Sequence, residues 1–374
     1  MMIQQINLLL AVLLTTVLIF YLTWSSQGKE IRRFVSPAPA QAPANTCFVS
    51  INDTRRLSLS SEPMIYFITP SYPRREQVAE LTRLGQTLMH VPNLHWIVAD
   101  DNRMCNPMIT QLLPRFGVPF THISSPMPEI YRSVSVIPRG VANRRAALDW
   151  IRANVKSGVL YFGDDDNTFD LKLFEEIRDT NKVSMFPVGL IGEYGVSAPI
   201  VKEGKVVGFY DSWPAKRKFP VDMAGFAVNV EYLLKYPNAT MPFRAGYEED
   251  RFLRSLGITL DMIEPKADSC TQVLVWHTQT NKKPPPVLKI ESSVDSSLRD
   301  LLQQVSYMGM ASISNSNGSH SEVIVIRLRK KPKLKSQQKN VGTVDGLIDS
   351  SYQIIHLKQW EAVYGKESNV LGPH

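Results

Sequence analysis

Three consecutive carboxylates, Asp164, Asp165 and Asp166, follow the run Val159-Leu160-Tyr161-Phe162-Gly163. Its four apolar residues, β-branched and aromatic, predict a strand buried on both faces, and Gly163 ends it. The carboxylates then fall where the strand leaves its sheet, the place where open α/β sheets collect ligands. Acidic groups this close repel one another unless positive charge sits on them. A hard divalent cation, Mg²⁺ or Mn²⁺, suits oxygen-only ligands, and one or two carboxylates suffice when substrate phosphates complete its shell. A solvated acidic turn capping the helix near Leu171 also explains the run taken alone. A second acidic pair, Asp100-Asp101, ends the strand expected over Leu94 to Ala99. Carboxylates at two strand ends fit a nucleotide, accepting from ribose hydroxyls or a base while a metal takes the phosphates. The chain has neither Gly-x-Gly-x-x-Gly nor a P-loop sequence, so phosphates must rest on a metal and on basic side chains. Arg139, Arg144 and His277 are the candidates. Glu248-Glu249-Asp250 precedes an apolar-periodic helix, where first-turn acids favour the helix dipole. That structural role needs no chemistry, and a lone His such as His277 is more often structural than catalytic.

The elements that must position these groups alternate. Strands are expected over Met64 to Thr69, Leu94 to Ala99, Phe120 to Ile123 and Val159 to Phe162. Helices are expected over Glu76 to Met89, Asn106 to Phe116 and Gly140 to Val155, the first through Val78, Leu81, Leu84 and Leu88. Further on, Val183 to Leu190, Lys205 to Phe209 and Val273 to His277 read as strands, with Gly246 marking entry to a helix through Phe252, Leu253 and Leu256. This order predicts an α/β fold with a mainly parallel twisted sheet flanked by helices.

Length and composition bound the rest. A chain of 374 residues can bury a large core. The net charge of +7 comes largely from a tail holding Arg327, Arg329, Lys330, Lys331, Lys333 and Lys335, which reads as a solvated, disordered arm. No nucleic-acid motif accompanies it, so nucleic acid is not an expected partner. Cys47, Cys105 and Cys270 allow one intramolecular bridge and one thiol, or an intermolecular bridge at Cys47 beside a flexible stretch. Ile6 to Trp24 is an apolar run without Lys or Arg, near the lower length limit for a membrane span. It lacks the basic start of a signal peptide, which favours an uncleaved single anchor. Lys29, Arg32 and Arg33 after the span argue for a cytoplasmic carboxyl side. Acceptor sequons at Asn52, Asn238 and Asn317 argue for the opposite side. The Ala- and Pro-rich stretch from Ser36 to Thr46 reads as an extended spacer.

Four motifs in fixed order carry a resemblance. Gly163-Asp164-Asp165-Asp166-Asn167-Thr168, Asp222-Met223-Ala224-Gly225-Phe226-Ala227, Glu264-Pro265-Lys266-Ala267 and Trp276-His277-Thr278 together resemble the Golgi β-1,3-glucuronosyltransferases, glycosyltransferase family 43. The resemblance covers roughly Pro63 to Thr280. It implies a GT-A-type nucleotide-diphospho-sugar transferase fold, type II topology in the Golgi membrane with a lumenal catalytic domain, and a homodimer formed partly through the carboxyl end. The implied organisation is a cytoplasmic tail at 1–5, an anchor at 6–24, a stem at 25–62, a catalytic domain at 63–282 and a divergent extension at 283–374. The implied reaction is inverting, Mn²⁺-dependent transfer of glucuronic acid from UDP-glucuronate to the 3-OH of a terminal galactose.

On matching positions, Tyr72 and Asp101 resemble the pair that holds uracil. Arg139 and Arg144 resemble donor-binding arginines, and His277 a donor-diphosphate contact. Asp164 and Asp165 resemble donor ligands, Asp165 at the ribose, and Asp166 resembles the direct Mn²⁺ ligand. Glu249 is similar to the general base, and Arg217 and Asp222 are similar to acceptor contacts. A helix start would favour the ionised form of Glu249 through the dipole. Two positions depart from the family pattern: Gln279 stands where characterised animal enzymes carry Arg, and Ser197 where they carry an acceptor-contacting Glu. These leave open the acceptor, a different donor such as UDP-xylose, and a catalytically silent glycan-binding or scaffold relative. The presence of both Asp166 and Glu249 speaks against the last.

Overall fold

The computed structural model describes residues 46–313, apart from 56, 58–60, 214–215, 281–284, 286 and 290–295, together with the strands at 323–327 and 352–355. The expected anchor at 6–24, the stem as far as residue 45, and Asn317 lie outside the described residues. Most of the expected basic arm does too, although Arg327 ends a strand. Among the described residues no helix is long and apolar enough to cross a membrane.

The acidic run follows β5 (Val159–Phe162), whose four side chains are all buried. β5 lies parallel to β2 (Ile65–Ser71), β2 to β3 (Leu94–Asp100), and β3 to β4 (Phe120–Ser124). The register pairs Ile65 with both Leu94 and Val159, so β2, β3 and β5 end on one edge. Residues one apart face opposite sides of a pleated sheet. Phe67, Trp96 and Tyr161 therefore point one way, packed with Leu81, Leu84 and Leu88 of α1 (Gln77–Leu88) and Ile109 of α2 (Pro107–Leu112). Leu173 and Phe174 of α4 (Leu171–Ile177) join the same side. Ile68, Ile97 and Phe162 point the other way, against Ala147, Leu148 and Ile151 of α3 (Val141–Asn154). Each fully buried large side chain contributes about 1.5–3 kcal/mol, so the paired cores fix the strand ends firmly.

With β1 at Thr46–Ser50, β7 at Val183–Met185, β11 at Phe226–Asn229 and β12 at Ile263–Pro265, the main sheet has eight strands, ordered β1-β4-β3-β2-β5-β11-β7-β12. Most of its pairings are parallel, as expected, but it is mixed. β11 runs antiparallel to both β5 and β7, while β12 is parallel to β7. The stretch Val183 to Leu190, expected as one strand, is two. After β7 the chain leaves at Phe186-Pro187 and re-forms as β8 (Val188–Gly189) in a second sheet. Pro187 has no N–H to continue the first ladder. The second sheet has the order β10-β9-β8-β13-β6, with β6 Thr168–Phe169, β9 Val196–Lys202, β10 Lys205–Tyr210 and β13 Val275–Trp276. Pro114 similarly interrupts the expected helix from Asn106 to Phe116: α2 stops at Leu112 and a 3₁₀ turn covers Leu113–Phe116.

Both expected boundaries of the globular part move. β1 (Thr46–Ser50) pairs antiparallel with β4, and Phe48 stacks on Phe120 at 5.6 Å. β1 thus lies inside the expected stem, ahead of Pro63. Cys47 is bridged within the chain to Cys105, which removes the intermolecular alternative, while Cys270 is a free thiol. Beyond the expected catalytic domain, β14 (Val287–Lys289) and β15 (Ser312–Ile313) form part of a third sheet, and a helix spans Ser296–Tyr307 between them in sequence. That sheet includes β16 (Val323–Arg327) and β17 (Tyr352–Ile355).

The Cys47–Cys105 bridge closes a loop of 58 residues. Loop-closure entropy sets its contribution at about 4 kcal/mol at most. Paired Cys47→Ser and Cys105→Ser substitution is expected to lower the unfolding midpoint in urea, and an unchanged midpoint would show that the β1–β4 pairing alone holds this end.

Candidate functional site

Asp164, Asp165 and Asp166 leave β5 through Gly163, where a side chain could not fit: a Cβ there would lie 2.2 Å from the Phe67 ring. The three carboxylates meet different neighbours. Asp164 pairs with Arg144 on α3. Gly140 makes room for that arginine, since it takes φ 74° at the helix start and a Cβ would approach the guanidinium to 2.5 Å. Asp165 accepts from Ser71 Oγ at 2.8 Å and pairs with Arg74 at 2.6 Å. Burial pushes its carboxyl up to about 6, opposed chiefly by Arg74. Arg74 pairs in addition with Glu80 of α1. Asp166 has its carbonyl held by Arg83 at 3.2 Å and by the Thr278 hydroxyl.

These groups line one cavity of about 420 Å³, and every residue expected at the donor is on its wall: Tyr72, Asp101, Arg139, Arg144, the three aspartates and His277. Tyr72 follows β2 and Asp101 follows β3, so the shared strand edge brings both to the acidic run. The Arg74 and Arg139 guanidinium carbons lie 4.6 and 5.7 Å from the Tyr72 ring centroid. Asp101 accepts from the Met127 amide at 2.7 Å and from Arg132 at 2.6 Å.

A second cavity, of about 670 Å³, holds the remaining candidates Arg217, Asp222 and Glu249. It shares Arg139, Arg144, Asp164, His277 and Gln279 with the first, so the two chambers meet at those side chains. His277 follows β13 and lies 3.4 Å from Asp222, whose carboxylate raises the imidazole to about 9 against the opposing effect of burial. His277 is thus an imidazolium at neutral pH. Asp222 itself is fixed by accepting from the Ala224 amide at 2.9 Å.

Glu249 lies in the first turn of α5 (Glu248–Ser255), and the dipole expectation for it fails. Burial, then Glu248 and Asp222, push its carboxyl up to about 8, and Arg217 at 3.6 Å only partly opposes them. Desolvation and two neighbouring carboxylates outweigh a first-turn effect worth about 0.3–1 kcal/mol. Gly246 lies just ahead of this helix as expected, and the indole of Trp213 occupies the place of its missing Cβ, 2.8 Å away.

Several functional neighbours had no signal in the sequence. Arg132, Asp211 and Trp213 line the cavities from loops without periodicity or motif. Ser197 is not on either wall; it is buried and donates to Asp211 at 2.6 Å, and Asp211 does line the second chamber. Gln279 borders both chambers. Asn52 and Asn238 are exposed, as sequon positions must be to be modified. Among the described residues no cluster of three acidic, His or Cys groups could hold a metal by itself.

The profile of glycosyltransferase family 43 matches residues 84–281. Galactosylgalactosylxylosylprotein 3-beta-glucuronosyltransferase S of Drosophila melanogaster is 58% identical over 263 residues, 69% of this chain and 64% of the relative. Its P counterpart from the same organism is 53% identical over 231 residues, 61% of this chain and 48% of the relative. The chain thus spans half to two thirds of the length of these relatives. A solved structure of S. aureus TarS in complex with UDP-GlcNAc aligns at TM-score 0.39 with 13% identity over 66% of each chain, too low a similarity to carry the fold. Sequence identity of this extent, with the matched region enclosing the acidic run, Glu249 and His277, places the chain in glycosyltransferase family 43.

Proposed function

We propose that this protein transfers glucuronic acid from UDP-glucuronate to the 3-OH of a terminal galactose, with inversion at the anomeric carbon. The observation that carries the reading is the junction of two chambers: one lined by the acidic run, the other by Glu249, with Arg144 and His277 between them. The relatives' names supply the sugar and the acceptor class.

Tyr72, with Arg139 near its ring, and Asp101 suit a uracil base, and Asp165 suits the ribose hydroxyls. Arg144 and the His277 imidazolium face the junction, where a departing diphosphate gathers negative charge. Asp166 fits a hard cation, being a carboxylate on the cavity wall beside two further carboxylates. Mn²⁺ bound by Asp166 and the diphosphate would add positive charge to the leaving group. In the second chamber Glu249 accepts the proton from the acceptor O3 as that oxygen bonds to the anomeric carbon. The bond from that carbon to the diphosphate oxygen breaks, and UDP leaves with the electron pair. Arg217 and Asp222 line the same chamber and suit acceptor hydroxyls. The Cys47–Cys105 bridge suits an oxidising compartment. With the expected anchor it supports a single-pass type II placement in the Golgi membrane, catalytic side in the lumen, and the family supports a homodimer.

Gln279 favours a second reading. It is uncharged and borders both chambers, so the wall offers one cation fewer to a uronic carboxylate than an Arg would. A donor lacking that carboxylate, such as UDP-xylose, is the alternative. Offering each donor with Mn²⁺ to galactose-terminated acceptors decides between them. Glucuronic acid in the product is expected, whereas xylose transfer, or UDP binding without any transfer, would displace the reading towards the alternative donor or a silent scaffold.

Glu249→Gln is expected to lower kcat by about 10²–10⁴ while leaving UDP binding within about twofold. Near wild-type turnover would remove Glu249 from the reaction. Because Glu249 must be ionised to act, kcat/KM for the donor should rise with pH and level off near 8, the value of its carboxyl in the free protein. A profile flat from pH 5 to about 9 would contradict a base in this environment.

A further inference from the structure

Asp211 follows β10, and all of its visible partners restrain it. Oδ1 accepts from the Trp213 amide at 2.9 Å and from Arg217 Nη2 at 2.8 Å, and Oδ2 accepts from the Ser197 hydroxyl at 2.6 Å. Its side chain and that of Arg217 are 7% and 5% exposed, so water screens the pair little. The same guanidinium turns its other nitrogen, Nη1, towards Glu249 Oε2, but stops at 3.6 Å, beyond good hydrogen-bond length. Glu249 Oε2 is buried without a hydrogen-bond partner among the described residues. One arginine thus lies between two carboxylates and closes on only one of them.

We propose that Asp211, braced by Ser197, is a positioning residue that holds Arg217 away from a closed ion pair with Glu249 and so preserves the basicity of Glu249. The role given to Glu249 rests on the function proposed above; the sharing of Arg217 does not. A carboxylate locked to a guanidinium by two short bonds is a weak base, because protonating it breaks the pair. Asp211 draws off the arginine and adds a negative charge of its own, and both effects favour the protonated form of Glu249. The other charges facing Glu249 are Glu248 on its own helix, Asp222, and the imidazolium of His277 beyond Asp222. Arg144 acts on Glu248, and Arg139, Asp164 and Glu193 complete the charged wall. None of these bonds Arg217, so none substitutes for Asp211.

The test is Asp211→Asn in the full chain, with a readout that needs no substrate. A carboxyl raised by folding, from 4.5 to about 8 here, stabilises least when ionised. The Tm advantage of a Glu249→Gln derivative over its parent should therefore grow with pH and level off near 8. In the Asp211→Asn background that plateau is expected about 1–3 units lower, and in Ser197→Ala it should move the same way by less. The acid limb of the kcat profile should follow, with kcat at its plateau reduced and UDP binding retained. An unmoved Tm plateau in both backgrounds overturns the proposal. So does a loss confined to acceptor KM with an unmoved plateau, which would make Asp211 an acceptor contact. If Asp211→Asn does not fold, the Ser197→Ala plateau alone decides. A plateau that moves in a protein transferring no glucuronic acid would uphold the charge sharing and remove the function read for the site.

Discussion

The site is a concentration of carboxylates in which arginines balance most of the negative charge. Asp164 meets Arg144, Asp165 meets Arg74, Asp101 meets Arg132 and Asp211 meets Arg217. Removing one member of a buried pair leaves an uncompensated charge, which costs about 3–5 kcal/mol. The pairing therefore constrains far more than the local geometry. Each arginine comes from a different part of the chain, and the strands, helices and loops that carry them must arrive together for the pairs to form.

The sheet meets that requirement through register. β2, β3 and β5 end on one edge because Ile65, Leu94 and Val159 lie opposite one another, and the two apolar cores fix that alignment from both faces. A slip of one residue would exchange Phe67 with Ile68 between the cores, reversing every contact on both sides. Tyr72, Asp101 and Asp164 gather at one cavity as a consequence of strand alignment, with no help from their own interactions. The second sheet does a different job. By receiving the chain after Pro187 and returning it through β9 and β10, it brings Asp211 and Arg217 to a chamber beside the first.

Two groups at the junction, the imidazole of His277 and the carboxyl of Glu249, both hold a proton more firmly than usual. Asp222 holds His277 protonated, while Glu248 and Asp222 help keep Glu249 protonated to an unusual pH. One carboxylate, Asp222, thus favours a proton on both of its neighbours. This sets a cation towards the acidic run and a group of raised basicity towards the second chamber, with Asp222 contributing to both.

Much of this was legible in the residues. The apolar run before Asp164 marks β5, the periodicity of Leu81, Leu84 and Leu88 marks α1, and the absence of a Gly-rich phosphate loop directs attention to arginines and His277. These features depend on local pattern and side-chain type, which a sequence states directly. The break at Pro187, the strand at Thr46–Ser50 and the turn at Pro114 were readable in principle, since each follows from a missing donor or a β-compatible stretch. Arg132, Asp211 and Trp213 were not. They sit in loops, where position is decided by the elements at either end and not by any period of the loop itself. The proton affinity of Glu249 belongs to the same class: its place at a helix start argued for the ionised form, and burial beside Glu248 and Asp222 reversed it. The sequence by itself determined which strands form, which acids end them and which family they belong to. Tertiary structure alone decided which arginine meets which acid, because a charge pair is set by distance in space, and those partners are brought together by packing across the whole sheet.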